Sequence, residues 1–305
     1  YRIWEPFSIF RNLYINLNQW RIWDYHGRHL VTGGNINVHT QFKNYWELSL
    51  GVNSNSASFS KTALRGGPML KEPASLNYWI SMDTDQRKKL AFSLGNSKSW
   101  SRYSHNHHNS LWSDISYRPH NTLKFTLSPS LTRQQNNMQY VATKDYNQQA
   151  RYIMASIDRN TLSLSLRLNF SLTPNLSLQY WGQPFIASGD YSDFKQVTDP
   201  DAPDYHTRYH TFSDEQISLQ DDAYRIDENL DGSMDYSIAK PDFNVLQFKS
   251  NLVARWEYTP GSTLFLVWSQ NRNGFHPTGR FAFQNDFQDL FSIYPQNVFL
   301  VKFTY

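Results

Sequence analysis

Asp227, Asn229, Asp231, Ser233 and Asp235 recur at every second position, with Gly232 between the third and fourth. That spacing can gather oxygens around one hard cation. Side chains at positions 1, 3 and 5 of a calcium loop converge, a glycine at position 6 permits the sharp turn, and position 7 offers its backbone carbonyl. Asp235 falls at position 9, to bind directly or through water, whereas position 12 is Ile238 instead of the bidentate glutamate of an EF-hand. The expectation is a structural Ca²⁺ that stiffens a loop, not a regulatory switch; the plain alternative is a solvated turn, which Asp, Asn and Gly also favour. His105, His107 and His108 are close enough in sequence to meet a transition metal, but they read as a polar loop tip without fixed ligands. His206 and His210 have a one-turn helical spacing with neither a helix signal nor an HExxH glutamate. Asp199 with Asp201, and Asp221 with Asp222, pair carboxylates with nothing to fix an acid–base separation. No catalytic residue is assigned, because no nucleophile elbow or phosphate-cradling glycine loop is present.

The elements that hold these residues are read from composition and periodicity. The absence of cysteine removes disulfides, thiolate metal sites and thiol nucleophiles. Lys and Arg exceed Asp and Glu by 29 − 26 = 3, interspersed along the chain, which is no footprint for nucleic acid. Mean hydropathy is −0.64, and no apolar run approaches the ~18–20 residues of a membrane-spanning helix. Low hydropathy is compatible with a transmembrane barrel, whose lumen-facing positions cancel its lipid-facing ones. Ten Trp, nineteen Tyr and twenty Phe suit two aromatic girdles. Tyr1-Arg-Ile-Trp4 lacks the basic and apolar regions of a signal peptide, so any leader is expected to have been removed or the chain to begin inside a longer protein.

Alternation with period two recurs throughout, and no amphipathic helix of useful length is expected. Leu162, Leu164, Leu166, Leu168 and Phe170 alternate with Ser163, Ser165, Arg167 and Asn169. Trp46, Leu48, Leu50 and Val52 do so against Glu47, Ser49 and Gly51, and the chain ends on Phe299, Val301, Phe303 and Tyr305. An aromatic strand left as a terminus is an aggregation hazard in water and a requirement for the closing strand of an outer-membrane barrel. The fold expected is all-β, a transmembrane antiparallel up-and-down barrel of about 14 strands forming one domain over residues 1–305. The stretch 136–160 reads as two short strands or one, which leaves 12 or 16 strands as alternatives.

Connections add a second signal. Lys43-Asn44, Thr84-Asp85-Gln86, Pro119-His120-Asn121, Thr173-Pro174-Asn175 and Thr259-Pro260-Gly261 are tight turns. Segments 54–72, 101–109, 187–242 and 271–296 read as long loops. Counting back from the last strand puts all five turns at one end and all four loops at the other, the periplasmic and extracellular ends of a barrel.

Arg65-Gly-Gly-Pro-Met-Leu70, Thr173-Pro-Asn-Leu-Ser-Leu-Gln-Tyr180, Gln183-Pro-Phe185, Ser188-Gly-Asp-Tyr-Ser-Asp-Phe194, Asp242-Phe-Asn244 and Ala254-Arg-Trp-Glu-Tyr-Thr-Pro-Gly-Ser-Thr-Leu-Phe-Leu-Val-Trp-Ser-Gln270 carry a family likeness. They resemble the carboxy-terminal barrel of an uncharacterised family of outer-membrane proteins that bear an amino-terminal domain like carbohydrate-binding module family 9. The resemblance is dense beyond about residue 170. It implies the bacterial outer membrane and, in the full-length protein, an amino-terminal β-sandwich through which glycans would be met; the other partners expected are outer-membrane lipid and other surface proteins. Residue 1 lies next to the first expected strand, so that domain is expected outside these 305 residues. The function expected is a membrane anchor or subunit of a larger cell-surface assembly linked to glycan handling, more a binding or scaffolding part than an enzyme. A channel for sugars or small hydrophobic solutes is the first alternative. An outer-membrane hydrolase is the second, since triads have no fixed spacing.

Overall fold

The structure, a computed structural model, describes residues 1–104 and 106–305. Nineteen strands and one helix follow in order. They are β1 (Arg2–Ile3), β2 (Phe10–Trp23), β3 (His29–Phe42), β4 (Glu47–Asn55), β5 (Ser58–Ser60), β6 (Leu70–Glu72), β7 (Ser75–Asp83), β8 (Leu90–Ser101), β9 (His107–His120) and β10 (Leu123–Tyr146). Next come β11 (Gln149–Thr173), β12 (Leu176–Val197), β13 (Tyr209–Thr211), β14 (Ile217–Gln220), β15 (Ala223–Ile226), β16 (Tyr236–Ala239), β17 (Phe243–Thr259), β18 (Ser262–His276), α1 (Phe283–Ser292) and β19 (Gln296–Thr304).

One antiparallel up-and-down sheet of fourteen strands dominates, in the order β1-β2-β3-β4-β7-β8-β9-β10-β11-β12-β17-β18-β19, with β13 on β12. β5 and β6 form a separate hairpin, and β14, β15 and β16 a small third sheet. Among the described residues no pairing joins β19 to β1 or β2, so the sheet is not closed on itself. No helix is long and apolar enough to cross a membrane, which says nothing of strands.

The period-two pattern sorts the sheet into two chemically different faces, because successive side chains point to opposite sides. Phe170, Leu178, Ala254, Leu266 and Val301 make one cross-strand row, and Leu17, Ile36, Val52 and Tyr78 another on the same face. The opposite face is polar, as in the row Asn18, Asn35, Asn53, Asn77 and Ser99. Little protein covers the apolar face. Exposed area is 18453 Å² for 35.9 kDa, against about 13,300 Å² expected of a water-soluble monomer of that mass.

Among the described residues, the packed hydrophobic clusters lie at the end of the sheet where the long connections gather. β10 and β11 run 24 and 25 residues and project there as one continuous hairpin, which resolves the ambiguous stretch 136–160. Bulges between Asn136 and Gln139 and between Tyr140 and Ala142 bend it. Ile153 and Ala155 of β11 enter a cluster with Phe194, Phe212, Ile226, Tyr236 and Ile238. Met154, between them, packs instead with Leu64, Leu70 and Val197. This end of β11 is therefore covered on both faces, and the neighbouring connections are folded structure.

Several boundaries shift accordingly. The segment 187–242 begins as strand, since β12 reaches Val197, and its remainder holds β13 to β16. The segment 54–72 contains β5 and β6, and the connection expected over 101–109 shortens to 102–106 because β8 and β9 extend into it. The segment 271–296 contains the last turns of β18 and the helix α1, which the sequence reading lacked. α1 has only ten residues and no side-chain cap at Ala282, so neither length nor capping announces it. Sequential antiparallel strands alternate ends, so all five tight turns do share one end and the four longer connections the other.

The turn after β7 illustrates the tight end. Buried Asp85 accepts from the Arg87 backbone amide at 3.1 Å and from its guanidinium at 2.8 Å, while that guanidinium lies 3.3 Å over the Tyr45 ring. The Arg87 hydrogen bonds hold the Asp85 carboxyl at about 2, below its ordinary 3.8. A lowered folded pKa means the contribution is complete above the unfolded value and is lost as pH falls from about 4 through about 2. Asp85→Asn should therefore speed hydrogen exchange of the Lys88 amide, which donates to Asp85 O, at pH 7, with the difference shrinking as pH falls through about 2; equal protection at pH 7 would refute the assignment.

Candidate functional site

Two features at the long-connection end could do chemistry: a chamber over the polar face and the Asp227–Asp235 loop. The chamber is built from the sheet upward. Tryptophans on the polar face lie flat over glycines of neighbouring strands, Trp20 on Gly33, Trp79 on Gly51 and Trp112 on Gly95, where a Cβ would collide with the indole. Each pair closes the gap that a glycine leaves in a sheet. Neutral amides hydrogen-bond between them. Asn18 donates to Asn35 at 2.8 Å, Asn53 to Asn77 at 3.0 Å, and Asn77 to Ser97 at 3.2 Å.

The polar rows end in a cavity of about 650 Å³ lined by Ile22 of β2, Asn55 of β4, Ser99 of β8 and Gln134 of β10, among others. β2 and β10 are six strand spacings apart, roughly 29 Å in a flat sheet at ~4.8 Å each. Both line one cavity, so the sheet curls around it. Glu72, exposed at the end of β6, lines this space.

A roof closes the chamber. Arg208, buried at the end of a short 3₁₀ turn, donates to Ala202 O at 2.9 Å, Lys71 O at 2.9 Å and Pro203 O at 3.1 Å. Its guanidinium thereby ties the β5–β6 hairpin to the connection after β12, and the Lys71 amide adds a bond to Pro200 O at 2.8 Å. Ion pairs Arg28–Asp201 at 2.7 Å and Lys61–Asp24 at 3.2 Å lace the β2–β3 turn to both. Lys195 is buried nearby, donating to Asn137 O at 2.9 Å and Ser156 Oγ at 3.3 Å, and desolvation lowers its pKa.

The loop Asp227–Asp235 is the whole connection between β15 and β16, closed by the pair Ile226 and Tyr236. Leu230 and Gly232 take φ of 60° and 85°, which curls it tightly. Asp227 accepts from the amides of Asp231 at 3.1 Å and Gly232 at 2.8 Å, Asn229 from that of Asp231 at 3.0 Å, and Asp231 from that of Ser233 at 2.8 Å. The Ser233 amide is the main cause of a lowered Asp231 pKa. Asp235 reaches across the loop to accept from the Glu228 amide at 2.7 Å, and the Glu228 carboxylate accepts from Arg151 at 3.0 Å and Tyr236 at 3.1 Å. Asp227, Asn229, Asp231 and Asp235 thus spend side-chain oxygens on amides of the loop itself, while Ser233 contributes its amide. Among the described residues no group of three or more His, Cys, Asp or Glu is spaced to hold a metal.

The other sequence candidates separate. His105 lies outside the described residues; His107 and His108 line the chamber. His206 and His210 are divided between the 3₁₀ turn and β13, and His210 bonds to Gln216 at 2.9 Å. Asp199 accepts from the Asp201 amide at 3.3 Å, and Asp221 pairs with Arg225 at 3.4 Å. The sequence reading missed Arg208 and the chamber; an arginine in a polar loop carries no mark of burial.

A family described as "Domain of unknown function (DUF5916)" matches residues 1–305. No curated protein matches the chain.

Proposed function

The chain belongs to the DUF5916 family, and from that premise we propose that this member is an outer-membrane β-barrel that anchors a folded platform at the cell surface, as one subunit of a larger assembly linked to glycan handling. One observation carries the reading: an apolar face spans the long strands with almost no protein against it, while the opposite face is lined by Asn, Ser and Gln. Hydrocarbon is the solvent that suits such a face. The same reading requires the edges of β19 and β1 to be paired in the bilayer, where unpaired backbone groups are costly. It also puts the tight turns in the periplasm and the cores around β10 to β16 outside. Partners are then outer-membrane lipid, other surface proteins, and glycans through a domain like carbohydrate-binding module family 9. The test is extraction: the chain should be monodisperse only in detergent or lipid and should migrate faster on gels before boiling. A folded, monodisperse chain in plain buffer would overturn it.

The roof favours an anchor over an open channel, since Arg208 lines the chamber and ties the β5–β6 hairpin to the connection after β12. A channel for sugars is the second reading, favoured by the polar rows that lead to the chamber. Planar-bilayer conductance that rises on deletion of 198–242, with β12 left intact, would support it.

We also propose a structural Ca²⁺ in the loop of Asp227, Asn229, Asp231, Ser233 and Asp235, supported by the tight turn that gathers the first three of these residues. Binding to the folded state alone adds stability by mass action. Asp231→Ala should lower Tm in calcium by a few degrees more than in chelator; equal losses in both would remove the ion.

A further inference from the structure

The connection from β18 to β19 does not hang free; it is laid across the apolar face of the sheet. Leu290 of α1 is buried in a cluster with Ile186 of β12 and with Leu246 and Phe248 of β17, and Phe281 and Ile293 flank it. Asn244, also buried, donates to Asp286 Oδ1 at 2.8 Å and to Arg280 O at 3.1 Å. Arg272 of β18 donates to Phe291 O at 2.6 Å and Ile293 O at 2.7 Å, satisfying carbonyls at the helix end. Two glycines make room. A Cβ on Gly274 would come within 2.6 Å of Ile293 Cδ1, and one on Gly279 would strike the Asp190 backbone.

Once docked, the segment still turns aromatic surface away from the protein. Phe283, Phe287 and Phe291 are four residues apart, hence on one flank, and their rings are in contact at 5.8 and 4.9 Å between centroids. Phe283 is 51% exposed and Tyr294 90%. Phe291 meets the Phe248 ring at 5.2 Å, and Phe248 is nearer the tight-turn end of β17 than Leu246 is. The flank therefore looks down the sheet, toward the apolar rows at Leu252, Ala254 and Trp256. From Leu252 to Phe248 is four residues, ~13 Å along the strand and about 10 Å of height at the usual barrel tilt. The headgroup layer on one side of the hydrocarbon is about 5–8 Å thick, so this height spans it.

We propose that 281–294 is an interfacial collar, with α1 lying in the plane of the outer headgroup layer and its phenylalanine flank seated against lipid at the acyl boundary. This rests on the membrane reading above and adds to it a lipid-contact site on a segment that is not a membrane strand. The occupant is lipid and not a second protein because the flank is continuous with the apolar face that lipid covers in that reading.

The chain has no cysteine, so single nitroxide labels can be introduced without background. Phe283→Cys and Phe287→Cys would be compared in phosphatidylcholine vesicles with Leu266→Cys on the apolar face and Ser233→Cys in the loop. Two helix positions guard against one that does not fold. The collar predicts helix labels that meet oxygen more than a water-soluble nickel chelate, at a depth between the two references. Helix labels as open to the chelate as Ser233, with Leu266 still deep, would overturn the collar and leave the barrel. Labels shielded from both reagents would mean protein covers the flank, which also overturns it. A Leu266 label open to the chelate would overturn the membrane reading, and the collar with it.

Discussion

Leu166→Arg is expected to cost about 2–4 kcal/mol of folding stability in lipid, the range for a basic residue at the middle of a barrel's outer face. Leu166 is centred in the row Leu162 to Phe170 of β11, paired with Leu127 and Gly182, and is 40% exposed. In water, a substitution at so open a position changes stability by only about 0.5 kcal/mol, because the guanidinium keeps its hydration. The two solvents therefore predict different results for one residue. Gln179→Arg, on the polar face of β12 and exposed, is the matched control and should be nearly neutral. Urea titration in vesicles reads both. Equal stability of the two variants would mean that water bathes both faces.

Arg208→Met should release the roof. The substitution keeps an unbranched stem but removes every donor from three carbonyls held in a buried site, and each orphaned acceptor costs about 1–3 kcal/mol before water reaches it. The loss is local, since the strands beneath keep their own pairing. Limited proteolysis should then cut within 198–216 at least tenfold faster, with the sheet unchanged by circular dichroism. Arg208→Lys should rescue little, because a point charge cannot serve three carbonyls spread across a planar fork. An unaltered cleavage rate in the methionine variant would show that the roof is held by the apolar cluster of Leu64, Leu70, Met154 and Val197 instead. In bilayers the same variant separates anchor from channel: conductance should appear only if the chamber continues through the sheet.

The calcium-loop reading shows how far spacing reaches. The nine residues from Asp227 to Asp235 do form one loop, in which Asp227, Asn229 and Asp231 each accept from a loop amide. Spacing does not say which partner each oxygen takes: the Asp235 carboxylate accepts from the Glu228 amide, while the Glu228 carboxylate is held by Arg151 and Tyr236.

Local pattern alone determined the all-β class, the antiparallel up-and-down order, the two unlike faces and the sorting of turns from long connections, since each depends on neighbours along the chain. Period two decides which side a residue faces, and proline and glycine decide where a strand stops. Tertiary structure decided the rest. The reach of β10 to β12 beyond the sheet, the cores on both faces of β11, the Arg208 clamp and the docking of α1 all join residues tens to more than a hundred positions apart. Burial of an arginine, or helix formation in ten uncapped residues, is set by what packs against it, and that partner is invisible until the chain has folded.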